Sequence, residues 1–175
     1  NDKDKNSVII NEILTFYEDR EGMLWIGTFS GGLDKFDRKT NKFIHFSDIK
    51  ELSNAVIYGI FEDNNSNLWM STNNGIIQFN PQTRFLKQYT IEDGLQSSEF
   101  NGGAYYKGIN GEIFFGGYFG FNSFFPEKIQ LDTISPQIAM TDLQVQNLSI
   151  QPGIKSPIKK HISEADEILL NHKQN

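Results

Sequence analysis

One stretch of the chain ignores the usual alternation of apolar and polar residues. "AVIYGIFED" (Ala55–Asp63) is apolar at odd and even positions alike. That pattern predicts a strand covered on both faces. "DNNSN" follows; Asn, Asp and Ser favour turns through local side-chain bonds and tolerance of left-handed backbone. "LWMST" predicts a second strand, and "NNG" a turn in which Gly75 supplies positive φ. "IIQFN" reads as a third strand and "PQT" as a turn. "RFLKQYT" is charged or polar at alternate places, as in an outer, partly solvated fourth strand. Nothing in the unit has the 3.6-residue period of a helix.

The same unit is written three times. "FYEDREGMLWIGT" aligns without a gap on "IFEDNNSNLWMST", so Glu18-Asp19 matches Glu62-Asp63. Trp25 and Trp69 are 44 residues apart, and Phe114 takes the Trp place 45 residues later in "EIFFGGYFGFNSFFP". Gly32, Gly75 and Gly120 correspond. The third copy is expected to place Tyr106-Lys107 at the Glu-Asp positions, and Pro126 follows its third strand with no fourth. A period of about 40–50 residues with four strands per unit is that of β-propeller blades. The fold class expected is therefore all-β: three consecutive blades, the last incomplete. A Trp recurring at one strand position predicts packing between blades. An Asp recurring at the strand end predicts an acceptor for turn N–H groups.

The 175 residues are 38% apolar and 22% charged, which fits soluble globular material. A net charge of −6 argues against a phosphate-backbone binder, so no nucleic-acid partner is expected. No run of 18 apolar residues occurs, so no membrane contact is expected within this segment. The absence of Cys removes disulfides, thiolate zinc sites and Cys nucleophiles. His45, His161 and His172 are far apart and lack ligand spacing; His45 lies in an outer-strand pattern and is expected to be solvated. "DNNSN" lacks the glycine and terminal Glu of a calcium loop. No nucleophile elbow, phosphate loop or metalloprotease motif is present, so no cofactor and no catalytic residue is expected. The chain does not begin with Met and reads as a part of something longer.

"EDREGMLWIGTFSGGLDKFD" and "EDNNSNLWMSTNNGIIQFNP" resemble the two-component regulator propeller repeat, and Tyr89–Ile129 resembles that family's last blade. The resemblance implies the periplasmic sensor of a hybrid two-component histidine kinase, homodimeric, with the remaining blades supplied by the same parent chain. It also implies a glycan-derived oligosaccharide as ligand. Blades are expected at about 8–51, 52–93 and 94–126, with a linker over 127–136. "SPQIAMTDLQVQNLSIQPG" is similar to the start of the immunoglobulin-like YYY domain, expected over 137–175, with "EILL" as a strand. In a four-stranded blade the loop between strands two and three shares a rim with the entry to the next first strand. That rim would hold Ser30, Asn73, Asn74, Ser97, Ser98, Glu99, Asn101, Tyr118 and Phe119. Asn73, Asn74, Asn101, Tyr118 and Phe119 are the candidate ligand contacts, because aromatic faces stack on sugar C–H surfaces and amides bond hydroxyls. Asn73 and Asn74 also suit plain turns. A protein-interaction scaffold and a carbohydrate-active propeller enzyme are the alternatives.

Overall fold

A computed structural model of the chain describes residues 6–129, 140–154, 156–165 and 167–170. The chain divides into two compact units, Asn1–Gln130 and Leu131–Asn175.

The first unit holds three antiparallel sheets. β1 (Ile13–Glu18), β2 (Leu24–Thr28), β3 (Leu33–Asp37) and β4 (Lys42–His45) pair in sequence order. A four-residue helix, α1 (Lys50–Ser53), leads into β5 (Ile57–Glu62), β6 (Leu68–Thr72), β7 (Gly75–Phe79) and β8 (Leu86–Tyr89), again paired in order. β9 (Phe100–Lys107), β10 (Ile113–Gly117) and β11 (Gly120–Phe124) form a sheet of three. These are two four-stranded propeller blades and a third with three strands. The chain then makes one 3-10 turn at Pro126–Lys128. The rest of the expected linker, from residue 130, lies outside the described residues.

Strand register gives the equivalences between copies. Trp25 lies opposite Tyr17, Trp69 opposite Phe61, and Phe114 opposite Tyr106. Glu18 and Glu62 face Leu24 and Leu68, and Lys107 faces Ile113. Lys107 therefore takes the Glu place and Gly108 the Asp place, one residue beyond the sequence expectation of Tyr106-Lys107. The turns agree: Asp19 N–H donates to Met23 O, Asp63 N–H to Asn67 O, and Gly108 N–H to Glu112 O.

The repeated Asp does two things. Asp63 Oδ1 accepts the N–H groups of Asn65 and Asn67, each at 2.9 Å, and Oδ2 accepts the Trp69 indole N–H at 2.9 Å. Asp19 does the same with Glu21, Met23 and the Trp25 indole, the last at 2.7 Å. The third copy changes both ends together. Phe114 has no side-chain N–H to satisfy, and Gly108 has no carboxylate.

Packing between sheets follows the indoles. Trp25 and Leu33 join Ile60, Leu68, Met70 and Phe79 in one core, and Trp69 and Ile76 join Phe100, Ile113 and Phe115 in a second. Both indoles are 1% exposed. Burial of this size is the main stabilising term in such a fold. The third sheet presents the corresponding face to solvent. Phe121, in the place of Leu33 and Ile76, is 66% exposed and lies 6.1 Å from the Phe114 ring. Polar links add to the packing. Arg20, in the first sheet's turn, donates to Glu62 Oε2 through Nε at 3.2 Å, and Lys107 Nζ donates to Glu62 O at 2.5 Å. The Tyr105 ring crosses Gly59, where a Cβ would lie 2.6 Å from it, and its hydroxyl sits 3.0 Å from Thr15 Oγ1. One side chain thus ties all three sheets together.

Helix α1 departs from the all-strand expectation. It is a single turn that buries Leu52 against the first sheet, and burial rather than period holds it. In the second unit, β12 (Gln144–Val145) and β13 (Leu148–Ser149) make a hairpin. Its two turn residues, Gln146 and Asn147, have φ of 51° and 62°, the geometry that matches strand twist in tight hairpins. The strand expected at "EILL" is absent: Glu167–Leu170 is irregular, and Leu169 N–H donates instead to Pro157 O at 2.9 Å.

Candidate functional site on one rim of the blades

The turns between second and third strands are bonded to the segments that enter each sheet. Asn73 N–H donates to Val56 O at 3.2 Å, and its Oδ1 accepts Val56 N–H at 3.1 Å. Gly75 N–H donates to Ser98 O at 2.5 Å. Phe119 N–H donates to Gln96 Oε1 at 2.8 Å, and Gln96 N–H to Asn122 Oδ1 at 3.0 Å. These bonds gather the candidate residues onto one rim, in two neighbourhoods.

The first is a cleft of about 400 Å³ lined by Lys50, Glu51, Asn54, Asn73, Asn74 and Gln88. Asn74 N–H donates to Thr72 Oγ1 at 3.0 Å, and Asn74 O accepts the Gln88 amide. Asn73 therefore serves the turn with backbone and side chain and Asn74 with its backbone, while the surfaces of both stay exposed. Lys50, Glu51 and Asn54 are absent from the sequence candidates because α1 is too short to leave a periodic signal.

The second neighbourhood lies at the start of β9. Tyr118 is 68% and Phe119 83% exposed at the β10–β11 turn. Asn101 is half-buried in β9, and Glu99 is exposed just before it. Tyr58, at the start of β5, joins them. Its hydroxyl pKa is raised from 10.0, first by burial, then by the charges of Glu99 and Tyr118 and by a hydrogen bond to the Glu99 carboxylate. Its ring passes 3.8 Å from where a Cβ on Gly102 would stand. Tyr58 reads in sequence as one more apolar member of its strand, so nothing marks it as a rim residue. Asn73 and Asn74 line the cleft, whereas Asn101, Tyr118 and Phe119 do not.

Other charged groups are committed to the fold. Asp34 is fully buried, accepts Ile9 N–H at 2.8 Å and lies 2.7 Å from His45 Nδ1. His45 is thus held against a buried carboxylate rather than standing free in water. Among the described residues no three His, Cys, Asp or Glu side chains gather to hold a metal, and no helix is long and apolar enough to cross a membrane.

Sheets with this order, indole-centred packing and a glycine turn per copy define an array of β-propeller blades. A family model described as two component regulator propeller matches residues 7–30 and 51–74. The chain carries two-component regulator propeller repeats. It is 32% identical over 142 residues to histidine kinase P4 of Formosa agariphila, covering 81% of this chain and 10% of the kinase. The extracellular domain of BT3049 from B. thetaiotaomicron, described as a hybrid two component system, is similar with a TM-score of 0.65 and 28% identity. That match covers 94% of this chain and 22% of the ectodomain. The BT4673 extracellular domain from B. thetaiotaomicron shares the fold at a TM-score of 0.50 and 22% identity, over 74% of this chain and 20% of its own. The chain spans about a tenth of the kinase and about a fifth of each ectodomain.

Proposed function

We propose that the chain is part of the periplasmic ligand-sensing propeller of a hybrid two-component sensor. It recognises a glycan-derived oligosaccharide and carries out no reaction on it. The observation that carries this reading is the exposed pair Tyr118 and Phe119 on a rim otherwise built from amides, a tyrosine hydroxyl and a carboxylate. Aromatic faces of this kind stack on sugar rings while polar neighbours fix orientation. The repeats and the likeness to two-component ectodomains support the sensor part of the proposal. In this reading the parent chain supplies the remaining blades, residues 137–175 open a YYY-type domain, and the receptor works as a homodimer.

A glycan-binding screen on the complete ectodomain, followed by calorimetry, tests the proposal. An oligosaccharide hit that weakens in Tyr118→Ala and Asn101→Ala supports it. Unchanged affinity in both variants moves the site off this rim.

A further inference from the structure

Resting on that reading, we infer that the cleft beside α1 is a second subsite for the oligosaccharide, built where the middle copy departs from the repeat. Strand register makes Asp34, Ile77 and Asn122 equivalent, since they lie opposite Ile26, Met70 and Phe115. Ile9, Ser53 and Gln96 are equivalent too. Each stands four residues before the first paired residue of its sheet, which is Ile13, Ile57 or Phe100. In the first copy Asp34 Oδ2 accepts Ile9 N–H at 2.8 Å, and in the third Asn122 Oδ1 accepts Gln96 N–H at 3.0 Å. Each bond clips the entering segment to its own sheet. The clipped residue then packs at the turn between second and third strands. A Cβ on Gly31 would meet Ile9 Cγ2 at 2.3 Å, and one on Gly117 would meet Gln96 Nε2 at 2.0 Å.

The middle copy breaks this pattern. The Ile77 side chain offers no acceptor, so Ser53 N–H turns back to Ile49 O at 2.9 Å and the entering segment coils into α1. The cleft of about 400 Å³ stands here, with the buried Ile77 beneath it and Asn54, Asn73, Asn74 and Gln88 among its walls. A local break in an otherwise consistent packing rule is the mark of a site built for use. Two of the wall amides are held at one end. Asn73 Oδ1 accepts Val56 N–H at 3.1 Å, which leaves its NH2 group to donate. The Gln88 NH2 group donates to Asn74 O, which leaves its oxygen to accept. Sugar hydroxyls do both, and a sugar C–H face suits an isoleucine floor. The cleft and the aromatic pair share a support. Gly75, next to Asn74, donates its N–H to Ser98 O at 2.5 Å, and Gln96, two residues before Ser98, accepts Phe119 N–H at 2.8 Å. One oligosaccharide lying along the rim meets both.

The test is calorimetry on the complete ectodomain, using an oligosaccharide selected from an array of plant and animal glycans. Asn54→Trp fills the cleft from an exposed position, and Gln88→Ala removes the oriented acceptor. Affinity should fall at least about tenfold in Asn54→Trp and about three- to tenfold in Gln88→Ala, the size of one lost hydrogen bond. Asn54→Trp should melt at the parent temperature, which separates binding from folding. In the parent protein, the bound oligosaccharide should also slow backbone hydrogen exchange over residues 50–55. Unchanged affinity in both variants, or exchange there that ignores the oligosaccharide, overturns the inference and leaves the sensor reading standing. Failure to bind any saccharide overturns the sensor reading and the inference with it.

Discussion

The Trp69 indole N–H donates to Asp63 Oδ2 at 2.9 Å, and the other oxygen of that carboxylate closes the turn six residues earlier in the chain. One side chain therefore sets both the turn and the orientation of the core indole. Removing it leaves a buried N–H and two turn N–H groups without their acceptor. Asp63→Ala should cost about 2–3 kcal/mol in denaturant melts, the range for lost bonds to a charged acceptor in a buried setting. The loss in Asp63→Ala combined with Trp69→Phe should fall short of the sum of the two single-variant losses, because the second change removes the stranded donor. Full additivity would mean the carboxylate serves only the turn.

Ser71 makes the opposite prediction. Its hydroxyl is buried between the second and third sheets with no hydrogen-bond partner among the described residues. Gly27 and Gly116 hold the same register position in the other copies. Ser71→Ala should leave stability unchanged or raise it by about 1 kcal/mol, since an unsatisfied buried polar group is removed. A loss of stability beyond 1 kcal/mol, of the kind seen when a bonded hydroxyl is deleted, would show that the hydroxyl has a partner.

Gly75 has φ of +87°, and a Cβ there would stand 2.0 Å from Tyr89 O. Gly120 has φ of +125° with no atom within 4 Å of the added Cβ. Gly75→Ala meets both strain and a backbone clash; strain alone costs about 1–3 kcal/mol. Gly120→Ala meets the strain without the clash and should cost less. Equal unfolding midpoints for the two variants would contradict this comparison.

Burial, followed by the Asp93 charge, pushes the Tyr89 hydroxyl from 10.0 to about 12. The folded state then holds its proton over a window in which the unfolded chain releases it. Stability from this group is complete below pH 10 and is lost as pH rises toward about 12. Tyr89→Phe should flatten the fall of melting temperature across that window while forfeiting the bond from Tyr89 to Gln78 Oε1 at 3.1 Å. The same alkaline slope in parent and variant would assign the pH dependence to other groups.

Much of the fold was legible because its signals are local. A strand apolar on both faces, a glycine at each second turn and a Trp at constant spacing each follow from burial or backbone geometry. The one-residue slip at Lys107 has a traceable source. The extra residue of the third copy lies before the Glu-Asp place, so an offset of 44 residues fits the first pair of copies and one of 45 the second. The Asp-to-indole bond left only the fixed spacing of Asp19 to Trp25 and Asp63 to Trp69, which a turn explains equally well. Helix α1 and the irregular Glu167–Leu170 segment are set by contacts rather than by pattern. Of the rim, Tyr118 and Phe119 stood out as poor turn residues. Tyr58 is brought beside Glu99 only by pairing between distant segments.

The account holds that the repeated Trp is packing and that binding rests on rim residues outside the repeat. Denaturant melts of Trp69→Ala in the complete ectodomain, with ligand affinity measured on the folded protein, test this most directly. Trp69 is buried, with the Phe124 ring 4.9 Å and the Tyr89 ring 5.5 Å away, so truncation should cost about 3–5 kcal/mol while affinity stays within twofold or so of the parent. A small stability loss with a large affinity loss would make the repeated indole a binding platform and contradict the account.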